Sequence, residues 1–184
     1  MEDNGVFIVA ELSANHNGSL KNALDTIKAA KAVGADAIKL QTYTADTITL
    51  DCDNDYFKIK QGTLWDGRTL YDLYKEAYTP WEWHEELFSY ARSLGLICFS
   101  TPFDFSAVDF LEKLDNPIYK VASFEITDVP LIRYMAEKQK PMIISTGIAE
   151  LADIELALKS CRDAGNTNIT LLKCTSSYPA PLEE

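Results

Sequence analysis

Three lysines stand where lysine is costly. Lys39 lies inside the run AIKLQT, Lys120 inside IYKVAS and Lys173 inside ITLLKCTS. A charge within a buried strand is tolerated only when it is paired or liganded. Side chains alternate along a strand, so Lys39 and Gln41 share one face. Ser123, three residues after Lys120, falls out of that alternation and can act only from the loop just past its strand. Hydroxyls gather at the same places, as Ser100-Thr101, Ser123, Ser145-Thr146 and Thr175-Ser176. Ammonium groups beside hydroxyls form a cradle for a phosphate or carboxylate. The same lysines are also suited to Schiff-base chemistry, or to running out to the helix-facing surface as ion pairs. Spacing alone does not separate anion binding from imine formation.

A carboxylate joins this set. The apolar run Phe7-Ile8-Val9-Ala10 stops at Glu11, and the polar knot Asn15-His16-Asn17-Gly18 follows. A loop of that composition is either an ordinary turn or the rim of an active site.

These residues need elements to position them. Six strand-length apolar runs begin at residues 7, 37, 96, 118, 142 and 169. Helix-like segments with apolar positions at i, i+3 and i+4 lie between them, at 19–34, 81–95 and 151–165. Each of these three ends in glycine, the expected residue just past a helix. Strand–helix alternation with near-continuous apolar strands predicts an α/β fold with a parallel sheet covered by helices. A (β/α)8 barrel and an open doubly wound sheet compete. Every run ends in polar, chemically capable residues, which favours the barrel, because a barrel gathers all its strand ends at one working face. An open sheet needs polar ends only at its switch point, and neither GxGxxG nor a Walker sequence occurs. Six units are two short of closure, so the sequence is expected to be a barrel fragment or an open sheet. Residues 43–80 form an insertion too long for an ordinary βα loop. Its aromatics include Tyr43, Tyr56, Phe57 and Trp65, and such a loop on a catalytic face shapes substrate access.

Composition excludes several functions. The 184 residues are 47% hydrophobic with a net charge of −11. That charge argues against nucleic acid and anionic membrane surfaces, though not against a small anion met by a few aimed lysines. No apolar stretch approaches the roughly 18–20 residues of a membrane span, and the N-terminus does not read as a signal peptide. Four cysteines form no CxxC pair; Cys98 and Cys174 lie in apolar runs and read as buried reduced thiols. The expected location is cytoplasmic.

The segments AELSANHNGSL, GADAIKLQTYT, FSTPFD, YKVASFE, ISTGIA and LKCTSSYP occur in this order. Together they resemble the nonulosonic (sialic) acid synthases, which condense phosphoenolpyruvate with an amino sugar. LWDGRTLYDLYKEAYTPWEWH is similar to the branch of that family that makes pseudaminic acid. The resemblance implies an N-terminal (β/α)8 barrel of which residues 1–184 are the part through strand six. The last strands and an antifreeze-like C-terminal domain, which reaches over the partner's site in a homodimer, are then expected to be absent from this chain.

By the same resemblance, Lys39, Thr101, Lys120, Ser123, Ser145 and Ser176 contact phosphoenolpyruvate. Glu11 becomes the acid/base or water-orienting carboxylate, and Asn15, His16, Gln41 and Tyr178 face the acceptor sugar. A divalent metal, Mn or Mg, is expected with its two histidine ligands beyond residue 184, hence none in this chain. His16 and His84 do not match those ligands, and His84, in a predicted helix, is expected to pack or to face solvent. The fragment by itself is expected to be inactive. N-acetylneuraminate or legionaminate synthesis and a Schiff-base barrel aldolase are the alternatives.

Overall fold

A computed structural model describes residues 5–60, 62 and 65–175. Two units divide the chain, Met1–Phe99 and Ser100–Glu184. Both are built from parallel strands alternating with helices.

In the first unit, β1 (Val9–Glu11) pairs in parallel with β2 (Ala37–Thr42), with Glu11 opposite Lys39. Helix α1 (Leu20–Ala32) connects them. Ser19 caps it by accepting the Asn22 N–H at 3.3 Å, and Ala23, Ile27 and Ala30 make its buried stripe. Such i, i+4, i+7 spacing turns one face of a helix to the core. Strand β2 shows why its lysine is tolerated. Ile38, Leu40 and Thr42 are fully buried on one face, while Lys39 and Gln41 alternate with them and are only half-buried.

The long insertion then begins. A short helix α2 (Ala45–Ile48) is followed by an antiparallel bridge between Lys58 and Thr69 and by α3 (Leu70–Ala77). A 3-10 turn over Trp81–Trp83 leads into α4 (His84–Ser93), which packs on α1 and buries Leu87, Phe88 and Ala91. Strand β3 (Ile97–Pro102) begins in this unit, where the Ile97 N–H meets the Asp36 carbonyl at 3.1 Å.

In the second unit, the end of β3 neighbours β4 (Tyr119–Val121), which neighbours β5 (Met142–Ser145), which neighbours β6 (Ile169–Leu172), all in parallel. Helices α5 (Phe105–Glu112), α6 (Val129–Ala136) and α7 (Leu151–Asp163) make the crossovers. Leu111, Ile132, Met135, Ala157 and Cys161 fill the space beneath them without exposure.

The strand–helix alternation is of the (β/α)-barrel type, as the polar run ends led us to expect, and six strands are present among the described residues. Gly34, Gly95 and Gly165 follow α1, α4 and α7 with φ of +92°, +72° and +83°, the left-handed conformation that ends a helix most cheaply with glycine. Two expectations about the sixth run are corrected. The strand stops at Leu172, so Lys173 is exposed beyond it rather than inside it. Cys174 is only half-buried, and the fully buried thiols are Cys98 and Cys161.

Candidate active site

Glu11 closes β1 and forms an ion pair with Lys39, its register partner on β2. The pairing answers the question that Lys39 raises. Its side chain is 13% exposed and its charge is met by a carboxylate that is 43% exposed. Two residues on, Gln41 accepts a hydrogen bond from the Ser13 hydroxyl at 2.9 Å through Oε1. Ser13 sits at φ +51°, a conformation that costs a non-glycine residue energy and is held by its surroundings.

His16 is buried within the same loop. Gly18 N–H points at its Nδ1 at 3.1 Å, and Thr79 Oγ1 lies 3.3 Å from its Nε2. An amide N–H can only donate, so Nδ1 is the acceptor and the proton of the neutral ring sits on Nε2. Thr79 in turn donates to the Ser13 carbonyl at 3.4 Å. Both ring nitrogens are therefore engaged inside the protein, and burial lowers the ring's basicity below the usual histidine value. The ring lines a cavity at the strand ends and pins its loop. Asn15 is fixed similarly, its Nδ2 donating to the Leu12 carbonyl at 3.0 Å.

His84 is a packing residue, one of the two alternatives expected of it. Nδ1 lies 3.1 Å from the Pro80 carbonyl and Nε2 lies 2.9 Å from Thr42 Oγ1. Here a carbonyl can only accept, so the proton is on Nδ1, the opposite tautomer to His16. Burial pulls its pKa down to about 4, against the raising effect of its backbone partners.

The cavity has a volume of about 490 Å³ and is lined by Asn15, His16 and Gln41 from the strand ends. Across from them stand Tyr43, Trp65 and α3. Of the four insertion aromatics named from the sequence, Tyr43 and Trp65 line the space, joined by Tyr74 of α3, whereas Tyr56 is 91% exposed to solvent and Phe57 is not among the lining residues.

The second unit holds a separate cluster. Lys120 is the middle residue of β4, facing away from Tyr119 and Val121, and is only 7% exposed. Its Nζ donates to Ser145 Oγ at 2.5 Å and to the Val121 carbonyl at 2.6 Å. Ser145 is the last residue of β5. Ser123 opens the 3-10 turn just past β4, where its Oγ accepts the Gly147 N–H at 3.3 Å. Thr101 is buried near the end of β3.

Two members of this cluster are not singled out by sequence reasoning. Burial pushes the Cys174 thiol up, but hydrogen bonds with Ser145 and Ser123, the Thr146 backbone and the Lys120 charge together bring it below its ordinary value. Burial holds the Glu125 carboxyl above its ordinary value, with Lys120 offsetting part of the effect, and Glu125 Oε2 is a buried oxygen without a partner. Their signal in the sequence is proximity to strand ends, which the apolar run around Cys174 obscures. Ser176 and Tyr178 lie outside the described residues.

Among the described residues no three His, Cys, Asp or Glu side chains come together as a metal site. Glu125 Oε2 is a single donor rather than a set. Nor is any described helix long and apolar enough to cross a membrane.

The chain is 50% identical over 182 residues to a pseudaminic acid synthase of Campylobacter jejuni, covering 99% of this chain and 53% of that protein. It is 52% identical over 177 residues to a pseudaminic acid synthase of Helicobacter pylori, covering 96% of this chain and 52% of that one. The chain thus spans about half the length of the curated relatives it matches. Among solved structures, the N-acetylneuraminic acid (sialic acid) synthetase of Leptospira borgpetersenii, in complex with citrate, superimposes with a TM-score of 0.81 at 29% identity. That match covers 98% of this chain and 58% of the other. The sequence profile of the NeuB family matches residues 26–184, and this chain belongs to that family.

Proposed function

We propose that the whole protein condenses phosphoenolpyruvate with a 2,4-diacetamido-6-deoxy amino sugar, giving pseudaminic acid and phosphate. The observation that carries this reading is the buried Lys120 ammonium held against Ser145 at a strand end, beside Ser123. A buried cation held among hydroxyl and carbonyl oxygens is a preformed seat for an anion. Thr101 and Lys39 are assigned to the same substrate, with Ser176 added from the family motif. The relatives named as pseudaminic acid synthases, at 50% and 52% identity, support the choice of sugar. The cytoplasm as location and a homodimer as assembly belong to the same proposal, with the rest of the barrel and a C-terminal antifreeze-like domain supplied by sequence outside these residues.

In the proposed reaction, C3 of phosphoenolpyruvate forms a bond to the aldehyde carbon of the open-chain sugar as the C=O π bond breaks and the aldehyde oxygen takes a proton to become a hydroxyl. Positive charge develops at C2, where a water adds. Glu11 orients that water and takes its proton. The tetrahedral species at C2 then breaks its C–O bond to phosphate. Lysines and hydroxyls that hold the phosphate fix the geometry and stabilise the departing dianion. Gln41 and Asn15 place the sugar, with His16 holding the loop that carries Asn15. A divalent metal, manganese or magnesium, belongs to the proposal for the whole protein. When bound it polarises the sugar aldehyde as a Lewis acid. The described residues do not supply its ligand set, and no step above is derived through it.

The Schiff-base alternative is less well supported. An imine-forming lysine needs a neutral amine, whereas Lys39 is ion-paired with Glu11 and Lys120 donates to two oxygens. The test is phosphoenolpyruvate labelled with ¹⁸O at its bridging oxygen, turned over by the whole protein with the diacetamido sugar. Label leaving with phosphate, and no borohydride-trapped adduct with pyruvate, is the expected result. Label kept in the sugar product, or a reduced lysine adduct, would overturn the proposal.

A further inference from the structure

Helix α3 is amphipathic, reading LYDLYKEA, yet none of its eight residues is buried. Helices this short are marginal by themselves, so something other than a core must hold it. Thr69 caps it, accepting the Asp72 N–H at 3.1 Å. The Tyr71 hydroxyl reaches Asp46 at 2.8 Å, and Tyr43 meets Tyr74 edge to face with centroids 5.6 Å apart. So anchored, the C-terminal half of the helix turns toward open space. Leu73, Tyr74, Glu76 and Ala77 all line the 490 Å³ cavity opposite Gln41 and the first βα loop. A volume of this size falls in the range of small-molecule sites, about 300–1,000 Å³.

The chemistry of that wall is mixed in a specific way. Leu73 and Ala77 are one helical turn apart, with Glu76 beside them at i+3 from Leu73. Arg68 holds the carboxylate, its Nη2 lying 2.7 Å from Glu76 Oε2 and 3.2 Å from the Asp72 carbonyl. The second carboxylate oxygen remains as an acceptor. A hydroxyl substituent requires no apolar wall, and a methyl alone requires no carboxylate. An acetamido group carries a methyl and an N–H donor within one short planar unit. Its two ends match neighbouring positions on this helix, which stand about 5–6 Å apart at Cβ.

We propose that α3 is the specificity-determining wall of the acceptor pocket, with Leu73, Tyr74 and Ala77 receiving the methyl of the C4 acetamido substituent, which N-acetylmannosamine lacks, and Glu76 accepting its N–H. This assignment rests on the functional reading above and adds to it the element that selects the sugar. Gln41 and Asn15 hold the sugar from the strand side and do not discriminate between acceptors.

The test is steady-state kinetics of the whole protein and two variants, each with the 2,4-diacetamido-6-deoxy sugar and with N-acetylmannosamine. Ala77→Leu narrows the cavity and is expected to raise KM for the diacetamido sugar about tenfold, with KM for phosphoenolpyruvate within about twofold. Leu73→Asn makes the wall polar and is expected to cut the kcat/KM preference for the diacetamido sugar by about tenfold. Unchanged sugar KM and unchanged preference in both variants, with the parent active on the diacetamido sugar, would overturn the inference and leave the function standing. A parent that condenses neither sugar would instead overturn the functional reading, and the inference with it. A variant that loses both substrates together has lost its fold, and the other variant then decides. If both behave so, α3 is structural and the inference is wrong.

Discussion

Lys39 and Glu11 form an ion pair, and a single substitution at either one removes the other's partner in it. Glu11→Gln in the whole protein is expected to lower kcat by at least about a hundredfold, the low end of what a positioned acid or base contributes. The double variant Glu11→Gln with Lys39→Met restores charge balance and should recover melting temperature without recovering rate. Recovery of rate as well would make the pair purely structural. Lys120 donates to Ser145 Oγ and to the Val121 carbonyl. Lys120→Met removes a charge-assisted contact worth about 1.5–3 kcal/mol, so apparent affinity for phosphoenolpyruvate should fall much more than that for the sugar. A defect confined to sugar binding would contradict the assignment. Cys174 reports on the same cradle. Burial pushes Cys98 up to about 12 and Cys161 up to about 11, while the Cys174 thiol lies below its ordinary value. Iodoacetamide at neutral pH should label Cys174 well ahead of those two, with phosphoenolpyruvate slowing it. Equal labelling of all three would remove Cys174 from the cluster.

At the scale of elements, the crossovers of the second unit depend on their caps. Asp104 Oδ1 accepts the N–H groups of Ser106 at 2.7 Å and Ala107 at 3.1 Å at the start of α5. Asp104→Ala should cost about 1 kcal/mol of stability, read by urea denaturation; no change would mean the cap is replaced by water. The strands and the glycine-ended helices α1, α4 and α7 are legible in the sequence because burial imposes a period on the chain. Elsewhere the period misleads. ITLLKCTS reads as one run, but pairing with β5 ends at Leu172, so Lys173 and Cys174 lie past the end of the strand. The insertion is legible only as aromatic. Trp65 and Tyr56 look alike in sequence, and which of them meets the cavity is set by the Lys58–Thr69 bridge and by α3, long-range features with no local mark. Similarly, Glu11 opposite Lys39 is a matter of register between strands separated by a helix. Alternation places Lys39 and Gln41 together but cannot name the carboxylate across from them.

At the scale of the whole molecule, two groups whose folded pKa values are lowered, His84 and Glu112, weaken the fold as pH falls. His84 has a folded pKa of about 4 against 6.5 for the free side chain. The unfolded chain therefore binds the extra proton first as pH falls, and stability is lost between about 6.5 and 4. A shift of that size corresponds to roughly 3 kcal/mol. Glu112 adds to the trend from the other unit. Burial raises its carboxyl, but Lys140 and Tyr119 outweigh it and leave the value lowered, so its contribution is present above the unfolded value and is lost as pH falls through the folded one. Denaturation midpoints measured from pH 7 to 4 should decline, with Glu125, whose carboxyl burial holds above its ordinary value, opposing part of the fall. His84→Gln should be less stable at pH 7 and show a flatter decline. An unchanged slope would mean His84 is not the titrating group.

The opposite tautomers of the sequence's two histidines have a spectroscopic consequence. In ¹⁵N-labelled protein, the ring-nitrogen correlations of His16 should show a protonated Nε2, and those of His84 a protonated Nδ1. Each pattern is tied to a different anchor of the insertion, His16 to Thr79 and His84 to Pro80. The pair is thus a built-in reporter with two channels. Adding the acceptor sugar should perturb the His16 signals and leave those of His84 in place, so loop movement can be tracked residue by residue without a foreign label.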